Sequence, residues 1–176
     1  MKKKIIAWFL LLAMIITLVP AGSVQAAAYK KGSKGINVQY LQQNLTFLGF
    51  PTNGVDGKFG NDTRKAVIEL QKTFGFAQTG SVDDTLNKMI KNTVSDIQKY
   101  LKYKGYYSGS IDGVSGNGTQ NAFKKLQKEL KKTQTGFADY FTLKEIVDDT
   151  KADVDIKNLR EWVTRLNGTY SVALES

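Results

Sequence analysis

The chain contains no cysteine and no histidine. Without cysteine there is no disulfide, no thiolate nucleophile, no iron–sulfur site and no cysteine for lipid attachment. Without histidine the usual zinc sites, the Ser-His-Asp triad and the Cys-His pair are excluded as well. An enzyme built from these residues is left with carboxylate chemistry or with a nucleophile activated by some other group. Long apolar runs are also scarce. The single one, residues 5–19, is about 15 residues, shorter than the roughly 20 that span a bilayer. It follows Lys2, Lys3 and Lys4, is broken by Pro20 and Gly22, and ends at small residues in Val24-Gln25-Ala26. That is the pattern of a secretory signal peptide cleaved after Ala26, the alternative being a retained anchor. Cleavage leaves no stable membrane anchor.

The formal charge is +9 over 176 residues, and three of the lysines leave with the signal. A basic exported protein is drawn to anionic polymers. Nucleic acid fits that charge but not the export signal. Anionic wall polymers fit both, so nucleic acid is not an expected partner. Nothing in the composition calls for a cofactor or a metal.

What is present is an internal repeat. The stretch NGVDGKFGNDT, residues 53–63, returns as GSIDGVSGNGT, residues 109–119. Asp56, Gly57, Gly60, Asn61 and Thr63 recur as Asp112, Gly113, Gly116, Asn117 and Thr119, a constant offset of 56. Aligned without a gap, residues 38–83 and 94–139 share 17 identical positions of 46. Such self-similarity marks duplication, and it is to be found before a fold is assigned. Each glycine-rich turn joins two helical patterns. Val38, Leu41, Leu45 and Leu48 make one apolar stripe, and Ala66, Val67, Leu70 and Phe74 make the next. Asn37 is the expected cap of helix 1 and Asn61 that of helix 2. Gly49 and Gly75 are the expected stops. A third helix starts near Ser81 or Asp83. Thr93 and Asp96 read as a capping-box-like pair that opens the second copy, after the short link Lys91-Asn92.

The expected organisation is a signal peptide at 1–26, a lead at 27–35, repeat 1 at 36–91, repeat 2 at 92–149 and a tail at 150–176. The expected fold class is all-α: two tandem three-helix domains with Gly/Asp-rich turns, plus a C-terminal amphipathic helix. In the tail, Ile156, Leu159, Val163 and Leu166 repeat the spacing of helix 1, as in a third unit. The favoured reading is a capping helix packed on repeat 2 with Trp162 at its edge.

The run Val38, Leu41-Gln42, Leu45, Leu48-Gly49-Phe50, Val55-Asp56-Gly57, Phe59-Gly60, Thr63, Ala66-Val67, Leu70-Gln71, Gly75, Thr79-Gly80 resembles the three-helix peptidoglycan-binding domain. That domain accompanies bacterial cell-wall hydrolases and spore cortex-lytic enzymes. The resemblance covers both repeats, and it implies a secreted, non-catalytic protein in the bacterial cell wall. The implied partner is peptidoglycan, through its glycan or its stem peptide. Two alternatives stay open: the targeting part of a wall hydrolase, and a structural or protein-interaction module. Repeat 2 departs at Ser115, where repeat 1 has Phe59, and at Lys131, where repeat 1 has Gly75.

Candidate ligand contacts are Asp56, Gly57, Phe59, Gly60, Asn61 and Thr63 in repeat 1. In repeat 2 they are Asp112, Gly113, Gly116, Asn117 and Thr119. Tyr107, which matches Pro51, is the best candidate for an exposed stacking ring. Each has a plainer reading. Asp56 and Asp112 tie their own turns, Thr63 and Thr119 satisfy backbone at a helix start, and Phe59 fills the core. The amides at the start of helix 2 are a place for a stem-peptide carboxylate. Gln71 and Gln127 are expected to bond backbone. No pair of carboxylates shares an evident cleft, so no catalytic residue is expected.

Overall fold

In a computed structural model of the chain, residues 28–149 and 152–175 are described, with side chains as far as 167. The expected signal peptide lies outside the described residues. The elements are α1 (Ile36–Phe47), α2 (Asn61–Thr73), α3 (Asp84–Tyr103), α4 (Asn117–Glu129), α5 (Tyr140–Asp148) and α6 (Lys157–Glu175). The architecture is all-α, and among the described residues β pairing is limited to two isolated bridges, Tyr29–Val82 and Lys34–Lys58. No described helix is long and apolar enough to cross a membrane.

The stripes read from the sequence face inward. Val38, Leu41, Leu45, Val67 and Leu70 are buried in repeat 1; Val94, Ile97, Leu101, Phe123 and Leu126 are buried in repeat 2. Gly49 and Gly75 have φ of 95° and 69° and close their helices as expected, and Gly105, at φ 75°, does the same in repeat 2. At the place of Gly75, Lys131 adopts the same left-handed conformation, φ 55°, and makes the same closing bonds. Gly75 N–H and Lys131 N–H donate to Lys72 O and Lys128 O, and the next amides donate to Gln71 O and Gln127 O. The loss of this glycine therefore changes the strain of the stop, not its shape.

Several helix starts differ from expectation. α1 begins at Ile36 behind Gly35, so Asn37 lies inside the helix. α2 begins at Asn61 itself, with Gly60 as a cap residue that offers no side chain. Asp83 does cap α3, accepting from Leu86 N–H at 2.7 Å.

The largest departure is at the junction. Helix 3 of repeat 1 and helix 1 of repeat 2 are one 20-residue helix, α3. Lys91-Asn92 is thus helical, and the Thr93–Asp96 pair caps nothing in its own helix. Thr93 Oγ1 donates back to Met89 O at 2.9 Å. Asp96 is fully buried and caps a helix far away in sequence. Its Oδ2 accepts from the amides of Asn158 and Leu159 at 2.8 and 3.1 Å, at the start of α6. The first turn of α6 carries no acid of its own, so Asp96 supplies the negative charge that a helix start favours. Lys99 Nζ neutralises the other oxygen at 2.9 Å.

α6 packs along α3 and α5 and also reaches α2 of repeat 1. Trp162 is not at its edge. The indole is 1% exposed and lies 4.4 Å from the Phe74 ring and 6.3 Å from the Phe50 ring, centroid to centroid. The tail is therefore a helix packed on both repeats rather than on repeat 2 alone.

Between the repeats, the Phe47 and Phe123 rings meet edge to face at 5.4 Å, and Ala138 N–H donates to Phe47 O. Asn44, 1% exposed, joins α1 to the second turn. Its Nδ2 donates to Gly113 O at 2.8 Å. Its Oδ1 accepts from Ser115 N and Oγ at 2.9 and 3.0 Å. In repeat 1 the equivalent groups are met by the lead: Gly35 N–H donates to Gly57 O, and Phe59 N–H donates to Ser33 O, both at 2.9 Å. The amide of Asn44 thus presents to the second turn the donor and acceptor that backbone presents to the first.

Candidate functional site

Each glycine-rich turn is held by one buried glutamine from the helix before it. Gln42 Nε2 donates to Asp56 Oδ1, Lys58 O and Thr63 Oγ1 at 2.9, 3.0 and 3.1 Å. Its Oε1 accepts from Gly57 N–H at 2.8 Å. Gln98 repeats this with Asp112 Oδ1, Val114 O and Thr119 Oγ1, and accepts from Gly113 N–H. A primary amide suits the task because it offers donors and an acceptor in one rigid plane. Gly57 and Gly113 sit at φ 70° and 71°. A Cβ at Gly113 would lie 2.8 Å from Lys91 O, so the second turn needs glycine on two grounds. Gln71 and Gln127 do the same for the later turns, accepting from Gly80 and Gly136 N–H at 2.9 and 2.8 Å.

These bonds place the expected site residues. Asp56 and Asp112 are exposed, yet each spends Oδ1 on its own turn, accepting also from Lys58 or Val114 N–H at 2.9 Å. The Gln42 amide, followed by the Lys58 amide, holds the Asp56 carboxyl below the usual carboxylate range. Thr63 and Thr119 are buried inside the turns. Phe59 is 2% exposed; its expected ligand contact is corrected, because the ring belongs to the core of repeat 1. Ser115 at the same place in repeat 2 is fully buried against Asn44. An aromatic there would displace the junction between the repeats. Gly60, Asn61 and Asn117 lie at the surface, and Gly116 is half-buried.

In repeat 1 the turn and the start of α2 enclose an open, polar hollow of about 170 Å³. Asp56, Gly60, Asn61 and Thr63 line it, as do Gln42, Lys58, Thr52, Asn53 and Asp62, which are not among the expected contacts. Asp56 and Asp62 thus share a cleft that adjacency along the sequence did not reveal. The repeat of Gln42 at Gln98, both set 14 residues before an Asp, was the available signal for the clamp.

Tyr107 is not a free stacking ring. It is half-buried, donates its hydroxyl to Ser110 O at 2.8 Å and accepts from Gln98 Nε2 at 3.3 Å. Among the described residues no group of three or more His, Cys, Asp or Glu side chains could hold a metal ion.

Residues 34–90 and 91–146 each match a protein family described as "Putative peptidoglycan binding domain". The chain is similar to the spore cortex-lytic enzyme of Bacillus cereus, 32% identical over 98 residues, 53% of this chain and 38% of that protein. It is similar to the N-acetylmuramoyl-L-alanine amidase CwlL of Bacillus licheniformis, 30% identical over 140 residues, 56% of this chain and 39% of that protein. It is also similar to protein YbfG of Bacillus subtilis, 28% identical over 158 residues, 78% of this chain and 21% of that protein. The chain therefore spans at most about two fifths of these relatives. No solved structure matches it significantly.

Proposed function

The chain belongs to the peptidoglycan-binding domain family, in two tandem copies, and we propose that it is a secreted, non-catalytic module that binds the bacterial cell wall. The observation that carries this reading is the polar hollow of repeat 1, open to solvent and shaped by Gln42. Its floor is fixed before any ligand arrives, which lowers the ordering cost of binding. Lys58, Asn61 and Asp62 offer donors and acceptors of both kinds.

The non-catalytic reading is supported by the match of both repeats to a binding domain. Wall glycosidases need one carboxylic acid that keeps its proton and one carboxylate, and the Asp56 carboxyl, held low by the Gln42 and Lys58 amides, does not suit the first of these roles. A second reading is that these repeats target a hydrolase; it is favoured by the partial coverage of the cortex-lytic enzyme and the amidase.

Sedimentation with purified, teichoic-acid-free sacculi tests wall binding, and failure to sediment refutes it. A zymogram with embedded wall material tests catalysis, and a cleared band refutes the non-catalytic reading. Salt separates two contributions. The exposed lysines Lys124, Lys125, Lys128 and Lys131 of repeat 2 attract anionic polymers over a Debye length of roughly 8–10 Å. Replacing them with glutamine in the full chain is expected to remove the salt-sensitive part of sedimentation and leave a salt-resistant part from repeat 1. The repeats are not to be tested apart, since a cut between them severs α3.

A further inference from the structure

The two turns are built alike, but their mouths differ. Pro51, Asn53 and Asp62 of repeat 1 are matched by Tyr107, Gly109 and Gly118 of repeat 2. The three differences act together. A Cβ on Gly109 would lie 2.5 Å from Tyr107 Oη and 2.6 Å from Cζ, so any other residue there would collide with the ring. A Cβ on Gly118 would meet the same ring at 3.5 Å, an ordinary contact distance. The ring therefore lies against Gly109 and Gly118. Its hydroxyl reaches Ser110 O and the Gln98 amide. In repeat 1 the counterparts of these four residues, Asn53, Asp62, Gly54 and Gln42, all line the open hollow.

Resting on the wall-binding reading above, we propose that Tyr107 occupies in repeat 2 the space that ligand occupies in repeat 1. The chain then has one open site, and the ligand group it takes is a hydroxylated six-membered ring, an amino-sugar of the glycan rather than the stem peptide. The ring of Tyr107 shows what such a space accepts: a flat six-membered body lying on backbone, with one hydroxyl that donates to a carbonyl and accepts from an amide. A pyranose ring is of similar breadth though puckered, and its alcohol hydroxyls can likewise donate to a carbonyl and accept from an amide. Repeat 2 keeps its turn because the turn holds Asn44, not because it holds ligand.

The test is a titration of the chain from residue 27 onward with the peptide-free disaccharide of N-acetylglucosamine and N-acetylmuramic acid, followed by amide NMR shifts. The wild-type chain is expected to respond at residues 53, 54, 61 and 62 and to stay silent at 109, 110, 117 and 118. Tyr107→Ala is expected to respond at both sets, with affinity at repeat 2 raised about tenfold or more, the equivalent of the two hydrogen bonds that latch the ring. p-Cresol is expected to enter the vacated space in Tyr107→Ala and to compete there with the disaccharide. The converse chain, Pro51→Tyr with Asn53→Gly and Asp62→Gly, is expected to lose the response at repeat 1, and it decides the matter should Tyr107→Ala fold poorly. Equal wild-type responses at both repeats overturn the proposal. So does a Tyr107→Ala chain that admits p-cresol but ignores the disaccharide, and so does a converse chain that still binds. If the disaccharide moves nothing while sacculi still sediment the chain, the sugar assignment fails and wall binding stands. If sacculi do not sediment it, the wall reading fails and takes this proposal with it.

Discussion

Replacing Asn44 tests whether the repeats are joined by hydrogen bonds or by packing alone. Asn44→Ala removes one donor and one acceptor from a site where Asn44, Gly113 and Ser115 are all buried. Ser115 Oγ can rotate to another partner, but Ser115 N–H and Gly113 C=O cannot. Leaving a buried polar group unsatisfied costs about 1–3 kcal/mol, so two such groups predict a loss of about 2–6 kcal/mol, some of it recovered by water entering the space left by the amide. Asn44→Leu fills that space and denies the water, so it is expected to cost more than alanine. A packing account predicts the reverse order, since leucine replaces lost contacts and alanine leaves a cavity. Urea unfolding of the chain from residue 27 onward reads both variants. Trp162 is then the sole tryptophan, because the other of the two is Trp8. Hydrogen exchange at the Ser115 amide should rise in both. Leucine equal to or better than alanine, or both variants within about 0.5 kcal/mol of the parent, would refute the hydrogen-bond account.

The remaining predictions concern α6 and the first turn. Asp96→Ala leaves the Asn158 and Leu159 amides without their shared acceptor and is expected to cost about 1–3 kcal/mol, with exchange protection lost first at the start of α6. Trp162→Ala opens a cavity between Phe50, Phe74 and α6 and is expected to cost about 3–5 kcal/mol; Trp162→Phe should cost clearly less in the same thermal or urea melt, and equal losses would show that the indole does not bridge the repeats. The Asp56 carboxyl is depressed in the folded chain, so its stabilising contribution is present above the ordinary Asp pKa and is lost as pH falls through its own lower value. Carbon-detected titration should place the Asp56 midpoint below the usual 3.8, and Gln42→Ala should raise it. An unchanged midpoint in that variant would show that the clamp does not hold the carboxylate.

Duplication, helix stripes, glycine stops and the all-α class were legible in the sequence because they follow from local rules: an apolar period near 3.6 and backbone angles that glycine tolerates. The two turns were legible for the same reason, down to Asp56 and Asp112 closing on themselves. The sequence could not show what each turn faces. Thr93 and Asp96 have the spacing of a local cap, yet the helix continues through them, and Asp96 instead caps α6, 62 residues further on. Ser115 reads as a lost aromatic until Asn44, 71 residues away, is seen to stand in that space. Tyr107 reads as an exposed ring until Gly109 is seen to make room for it. A residue's period and propensity are properties of its neighbours along the chain, and these fixed the helices and turns. Whether a buried polar group or a ring has a partner depends on groups brought together only by packing, and packing alone set Asn44 against the second turn and the Tyr107 ring against Gly109.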